Sequence, residues 1–185
     1  MEICHALSVP LIILGAWAGV SNDYDTVRRK FDLIDSERLK PGSRVDLSLR
    51  ELNAYAVQEA PPGVRNPRIQ VVSPGVVAGT ALIDFGKLGR ANGYQPGWLM
   101  SKLLDGEWPV SVTARIQSSG GRARVDVQRV EIGDLEVDGR TLDFLIQNFL
   151  LALYPDAVVG RPFQLGHRIE RLDVQPGGVG VIIAR

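Results

Sequence analysis

From Val110 onward the chain alternates apolar and polar residues: Val110, Val112, Ala114 and Ile116 fall on one side, as do Ala123, Val125 and Val127 after Ser118-Ser119-Gly120-Gly121. Successive strand residues face opposite sides of a sheet, so the pattern predicts a hairpin with one buried face. Val130 and Ile132 fall out of phase with Val127. Keeping them inward requires a one-residue bulge near Gln128 or Arg129, and such a bulge bends a sheet. Two more hairpins are expected. One joins Arg68–Ser73 to Val76–Phe85 through Pro74-Gly75, and the other joins Arg168–Val174 to Val179, Val181 and Ile183 through Pro176-Gly177-Gly178. Both linkers contain residues suited to tight turns.

Helical spacing appears in three places. Tyr24, Val27, Phe31 and Ile34 predict a helix from Asn22 to Leu39, with Asn22 and Asp23 as cap residues and Pro41-Gly42 as its stop. Ser48-Leu49-Arg50-Glu51 is a capping box, and Leu47 and Leu52 flank it as a hydrophobic staple. That second helix continues through Tyr55 and Ala56 and ends by Pro61-Pro62-Gly63. The third, Thr141 to Leu153, carries Leu142, Leu145, Ile146, Phe149, Leu150 and Leu153 on one face, with Phe144 and Leu151 beside them. A helix apolar nearly all round has to be largely enclosed or to contact a ligand. Gly86 to Gly106 is less regular, with a short helix at Pro96-Gly97-Trp98-Leu99-Met100 closing over apolar surface. The fold class is therefore α+β: hairpins forming a strongly curved antiparallel sheet around a long apolar helix.

The 185 residues suit one domain, and 20 Gly and 11 Pro agree with many turns between short elements. The 21 basic and 21 acidic residues cancel, which removes the general attraction to phosphate backbones and argues against a nucleic-acid partner. Arg122, Arg124 and Arg129 read as solvated outer positions on a strand, and Arg28, Arg29 and Lys30 as a solvated helix face that could also lie near a membrane surface.

Ala6 to Val20 is nearly free of polar residues and contains the small-x-small triplet Ala16-Trp17-Ala18. It is too short and too interrupted for a span of about 20 residues and fits a signal peptide over 1–18, cleaved or retained as an anchor. The n-region Met1 to His5 departs from the usual pattern in carrying no Lys or Arg. The alternative for the same run is a buried first strand or helix. A helix and linker over 19–43 and one domain over 44–185 complete the division. Cys4, the single cysteine, precedes the apolar run, so no internal disulfide is available and no lipobox is formed.

Chemistry is sparse. The histidines are His5 and His167, and no nucleophile elbow, phosphate loop, dinucleotide fingerprint or metal-ligand pair accompanies them. His167 is expected to be structural. Asp134-x-Glu136-x-Asp138-Gly139 resembles the start of a calcium loop, but Leu145 stands where the bidentate Glu belongs. Glu136 is therefore read as exposed and Asp138 as a helix cap. Asp84 and Asp105 could pair for glycosidic chemistry, as could many carboxylates in any chain. No cofactor, no metal and no enzymatic activity are expected.

Leu49-Arg50-Glu51-Leu52-Asn53-Ala54-Tyr55, the Ile69–Phe85 hairpin and Val130-Glu131-Ile132-Gly133 leading into the apolar helix resemble small bacterial lipid-binding proteins. The types are LmeA-like and YceB-like, related in shape to the tubular lipid-binding (TULIP) fold, and the likeness covers about residues 44–185. It implies an apolar groove between helix and sheet that accepts acyl chains. The groove residues expected are Leu52, Tyr55, Trp98, Leu99, Phe144, Phe149 and Leu151. The partner expected is a lipid or other apolar molecule, bound in the periplasm or cell envelope. The alternative is an envelope interaction module with a filled core, using sheet edges or Trp98 and Trp108. Export is tested by expressing the tagged full-length chain: a periplasmic or secreted product beginning near Gly19 is expected, and full-length cytosolic protein would contradict it.

Overall fold

A computed structural model describes residues 15–91, 106–151 and 158–185. The architecture is α+β and antiparallel. Helix α1 is Gly15–Asp35, followed by strand β1 (Arg44–Ser48) and helix α2 (Leu49–Gln58). Strands β2 (Val64–Ser73) and β3 (Val76–Ile83) lead to helix α3 (Phe85–Ala91). Strands β4 (Trp108–Ser119), β5 (Arg122–Ile132) and the short β6 (Leu135–Glu136) precede helix α4 (Gly139–Leu145), which passes into a π-helical turn, Ile146–Leu150. The chain closes with β7 (Phe163–Gln164), β8 (Ile169–Gln175) and β9 (Gly178–Ile183).

These strands form two sheets: a three-stranded one ordered β1-β9-β8, and a six-stranded one ordered β2-β3-β4-β5-β6 with β7 also on β5. The expected antiparallel hairpins are thus divided between two sheets, and a strongly curved sheet around a long apolar helix is not shown among the described residues. Turn and strand-end groups join the sheets. The Gly75 N–H donates to the Val174 carbonyl of β8 at 3.0 Å, while the Gly75 carbonyl accepts from the Ile116 N–H of β4, in its own sheet, at 2.8 Å. Further along, the Ser118 hydroxyl donates to the Leu172 carbonyl (3.0 Å) and accepts from the Leu172 N–H (2.7 Å). A side chain there does what a neighbouring strand would do.

All three expected hairpins form, and the β4–β5 bulge falls at Gln128: Thr113 pairs with Arg129 and Ala114 with Val127. Strand β2 starts earlier than Arg68, because an irregularity between Arg65 and Arg68, with Asn66 at φ +49°, lets Val64 and Arg65 pair with Ile83 and Leu82. Helix α1 differs at both ends from the expected Asn22–Leu39. Asn22 and Asp23 lie inside it and do not cap it; the Asn22 carbonyl accepts from the Thr26 hydroxyl at 2.7 Å, and Asp23 pairs with Arg50 at 3.0 Å. The helix ends at Asp35, where Glu37 turns left-handed at φ +56° and its carbonyl accepts from Arg168. The Ala16-Trp17-Ala18 triplet belongs to α1, while Cys4 and His5 lie outside the described residues. Among the described residues, no helix is long and apolar enough to cross a membrane.

One core lies between α1, α2 and the three-stranded sheet. Val27, Ile34, Val45, Leu47, Val181 and Ile183 are buried together, with Phe31, Leu52, Tyr55 and Leu172 packed on them. Leu47 and Leu52 thus belong to the same core. Glu51 is the buried polar residue in its wall, 7% exposed. Its carboxylate accepts from the Ser48 backbone N–H (2.7 Å) and from the Ser48 hydroxyl (2.9 Å), while the Glu51 N–H donates back to the Ser48 hydroxyl at 3.3 Å. Lys30 of α1 reaches both carboxylate oxygens at 2.6 and 2.9 Å and donates to the Asp46 carbonyl of β1 at 2.6 Å.

Burial by itself would raise the Glu51 carboxyl, but the hydrogen bonds from Lys30 and Ser48 outweigh it and hold the group below its ordinary value of 4.5. The folded state therefore binds the proton less tightly than the unfolded chain. Its contribution to stability is complete above the unfolded value and fades as the pH falls through the lower folded value. Glu51→Ala should cost about 2–3 kcal/mol in urea unfolding, because it removes a helix cap and strands a half-buried ammonium. Glu51→Gln should reduce the acid sensitivity of the melting temperature; an unchanged acid profile would contradict this role.

Candidate functional site

On the other side of α2 the packing is open. A cavity of about 520 Å³ lies between the C-terminal half of α2, the six-stranded sheet, α3 and α4. Its floor is the sheet face carrying Val64, Ile83, Val110, Val112, Val127, Val130 and Ile132. These residues share a face because Val112 pairs with Val130 and Val110 with Ile132, while the bulge at Gln128 brings Val127 back into phase. Across from Val112 stands Gly79, where an added Cβ would approach nothing nearer than the Arg68 carbonyl at 3.9 Å. Gly79 thus adds no side chain beside Val112.

Two helices make one wall. Helix α3 puts Phe85 and Leu88 against Val64, Ile83, Val110 and Ile132, with Phe144 and Leu145 of α4 packed on the same pair. The start of α3 is held by Asp84, whose carboxylate accepts from the Lys87 N–H at 2.8 Å and pairs with the Lys87 ammonium at 3.1 Å. Burial pushes the Asp84 carboxyl up, but these bonds and the nearby cations leave it below its ordinary value. Asp84 is thus engaged in capping, and Asp105 lies outside the described residues. Gly63 lets the chain pass beneath: at φ +95°, a Cβ there would sit 2.8 Å from both the Asp84 carbonyl and the Leu88 nitrogen.

Helix α4 contributes Leu142 and Leu145 to the cavity, and the π-helical turn contributes Ile146 and Leu150. The expected helix ran from Thr141 to Leu153; the described one begins at Gly139, changes to a π turn at Ile146 and is described only to Leu151, so no long apolar helix is seen. None of the α4 residues is fully buried.

The opposite wall is the end of α2 with Tyr55, Ala56, Glu59 and Ala60, followed by Pro61 and Pro67. This wall is fixed from three directions. The Tyr55 ring meets Phe31 edge-on at 4.9 Å and stacks on Tyr24 at 6.1 Å. The Asn53 side chain clips α2 to the free edge of β2, donating to the Ile69 carbonyl (2.9 Å) and accepting from the Ile69 N–H (2.7 Å). Glu59 accepts a hydrogen bond from the Tyr24 hydroxyl.

Of the residues expected in a groove, Tyr55 lines the cavity. Leu52 packs into the closed core instead, and Phe144 packs on Phe85 and Leu88. Leu151 is half-buried outside the lining. Trp98, Leu99 and the side chain of Phe149 lie outside the described residues. A groove against the sheet was expected, but no sheet residue was named in it, and neither α3 nor Glu59 was anticipated there. The strongest hint was the period-two run Val110–Ile116 with its bulged partner, which marks one continuous apolar face.

The other polar positions are engaged at the surface. Exposed Glu136 pairs with Arg129 at 3.2 Å, and Asp138 sits at the α4 N-cap position without a side-chain cap bond. His167, at φ +53°, is exposed beside Asp35 and Glu37. Among the described residues no group of three or more His, Cys, Asp or Glu side chains is placed to hold a metal ion. No protein-family model, curated protein or solved structure matches the chain.

Proposed function

We propose that this protein binds a lipid or similar amphiphile, with an apolar chain lying in the cavity between α2, α3, α4 and the six-stranded sheet. The observation that carries the reading is that apolar side chains from both walls and the floor converge on about 520 Å³ without filling it. Ligand sites commonly have volumes of about 300–1,000 Å³ and are mostly apolar with a few polar groups. Each methylene moved from water into such a space is worth about 0.8 kcal/mol. Helix α4 adds support: Leu142 and Leu145 line the cavity and are only half-buried, so a bound chain would cover surface that the protein leaves partly wet.

Binding is favoured over bond-making chemistry by the lining itself, which among the described residues offers one carboxylate (Glu59) and one phenol (Tyr55) and no thiol, aliphatic hydroxyl, amine or imidazole. Export to the periplasm or cell envelope belongs to the same proposal, supported by the apolar run Ala6–Val20. So does kinship with the LmeA-like and YceB-like proteins, supported by an antiparallel α+β architecture with an apolar space between helix and sheet.

The test is a Nile red titration of the full chain after removal of co-purified lipid. Binding at micromolar concentration is expected. Val112→Phe, which puts a ring onto the floor between Gly79 and Val130, should weaken it by about tenfold, roughly 1.4 kcal/mol. The melting temperature reports whether that variant stays folded. Stripped wild-type protein that binds no amphiphile at micromolar concentration would overturn the proposal.

A further inference from the structure

The described lining of the cavity is apolar except at one end, where Glu59 is its only charged side chain. Glu59 is the C-cap residue of α2, and its backbone N–H closes the helix on the Tyr55 carbonyl at 2.9 Å. Its carboxylate is held by the Tyr24 hydroxyl from α1. That hydrogen bond, with lesser contributions from burial and from the Glu59 charge, raises the Tyr24 hydroxyl above its ordinary value against the opposing pull of Arg28. Helix α2 points its C-terminal end, the negative end of its dipole, toward the same mouth. Ala56, Ala60 and Pro61 around it carry no charge. Arg28 lies over the Tyr24 ring, 5.9 Å from its centroid, and is not a lining residue. Among the described residues, the charge that lines this otherwise apolar site is therefore negative, with the Arg28 guanidinium set behind Tyr24.

We infer that the ligand of this groove carries a cationic head group, an ammonium or substituted ammonium, which meets Glu59 while its apolar chain lies over the Val110–Val130 floor. The inference rests on the proposed apolar-ligand function and adds the chemistry of the head. An anionic head in the same orientation would face Glu59 with like charge.

The experiment displaces Nile red from the stripped full chain with hexadecyltrimethylammonium or palmitate, each below its micelle concentration in neutral buffer. The cation should displace the dye at about fivefold lower concentration than the anion, the size expected of a partly screened ion pair, and salt should narrow the gap. Glu59→Gln should bring the two amphiphiles together, and Glu59→Lys should reverse their order, with circular dichroism confirming that both variants are folded. Equal or tighter wild-type binding of palmitate, or a gap that survives in Glu59→Gln, would overturn the head-group inference. Failure of Nile red itself to bind would overturn the apolar site and this inference together, whereas equal displacement by both amphiphiles sinks the inference alone.

Discussion

The carboxylate of Glu51 is the point on which the arrangement of helices depends. It caps α2 through Ser48, accepts Lys30 from α1 and, through the same ammonium, ties β1 at the Asp46 carbonyl. A charge with so little exposure is tolerable only when nearly every lone pair is used, and here hydrogen bonds converge on it from a backbone amide, a hydroxyl and an ammonium. Once α2 is anchored there, the rest of the helix follows its own periodicity. Two residues on, Asn53 reaches the edge of β2; another two on, Tyr55 meets the α1 aromatics. The Asn53 amide also closes part of a sheet edge that would otherwise offer free backbone groups to another chain.

The same helix separates two unlike interiors. Toward the three-stranded sheet, Val27 and Ile183 are almost completely buried at 0% and 2% exposure, and Leu52 completes a closed core. Toward the six-stranded sheet, Tyr55, Ala56 and Glu59 border open space. A closed core on one side supplies the cooperativity that an apolar space on the other side forgoes, since unfilled volume costs contacts that packed side chains would make.

Local signals in the sequence identified the parts of the fold that local physics determines. The capping box formed at Ser48 and Glu51, the three turns closed hairpins, and the phase break after Val127 marked the bulge at Gln128. Strand β1 escaped notice because Val45 and Leu47 are its only apolar positions and its partner, β9, lies at the far end of the chain. Helix α3 was hidden by Gly86 and Gly89, poor helix formers that are overridden by the Asp84 cap and the burial of Phe85 and Leu88. For the site, apolar spacing identified side chains that avoid water without saying which interior they join. Leu52 and Tyr55 have the same helical signature, yet one belongs to the closed core alone while the other also borders the cavity.

The central claim is that one interior of this protein is filled and the other receives a ligand. Methyl-resolved NMR of the stripped protein, titrated with a single-chain amphiphile, tests it most directly. Val112, Val127, Val130, Leu145 and Ile146 should shift and saturate together, while Val45, Val181 and Ile183 stay in place. Shifts spread evenly over both sets, or none in the first, would contradict the account.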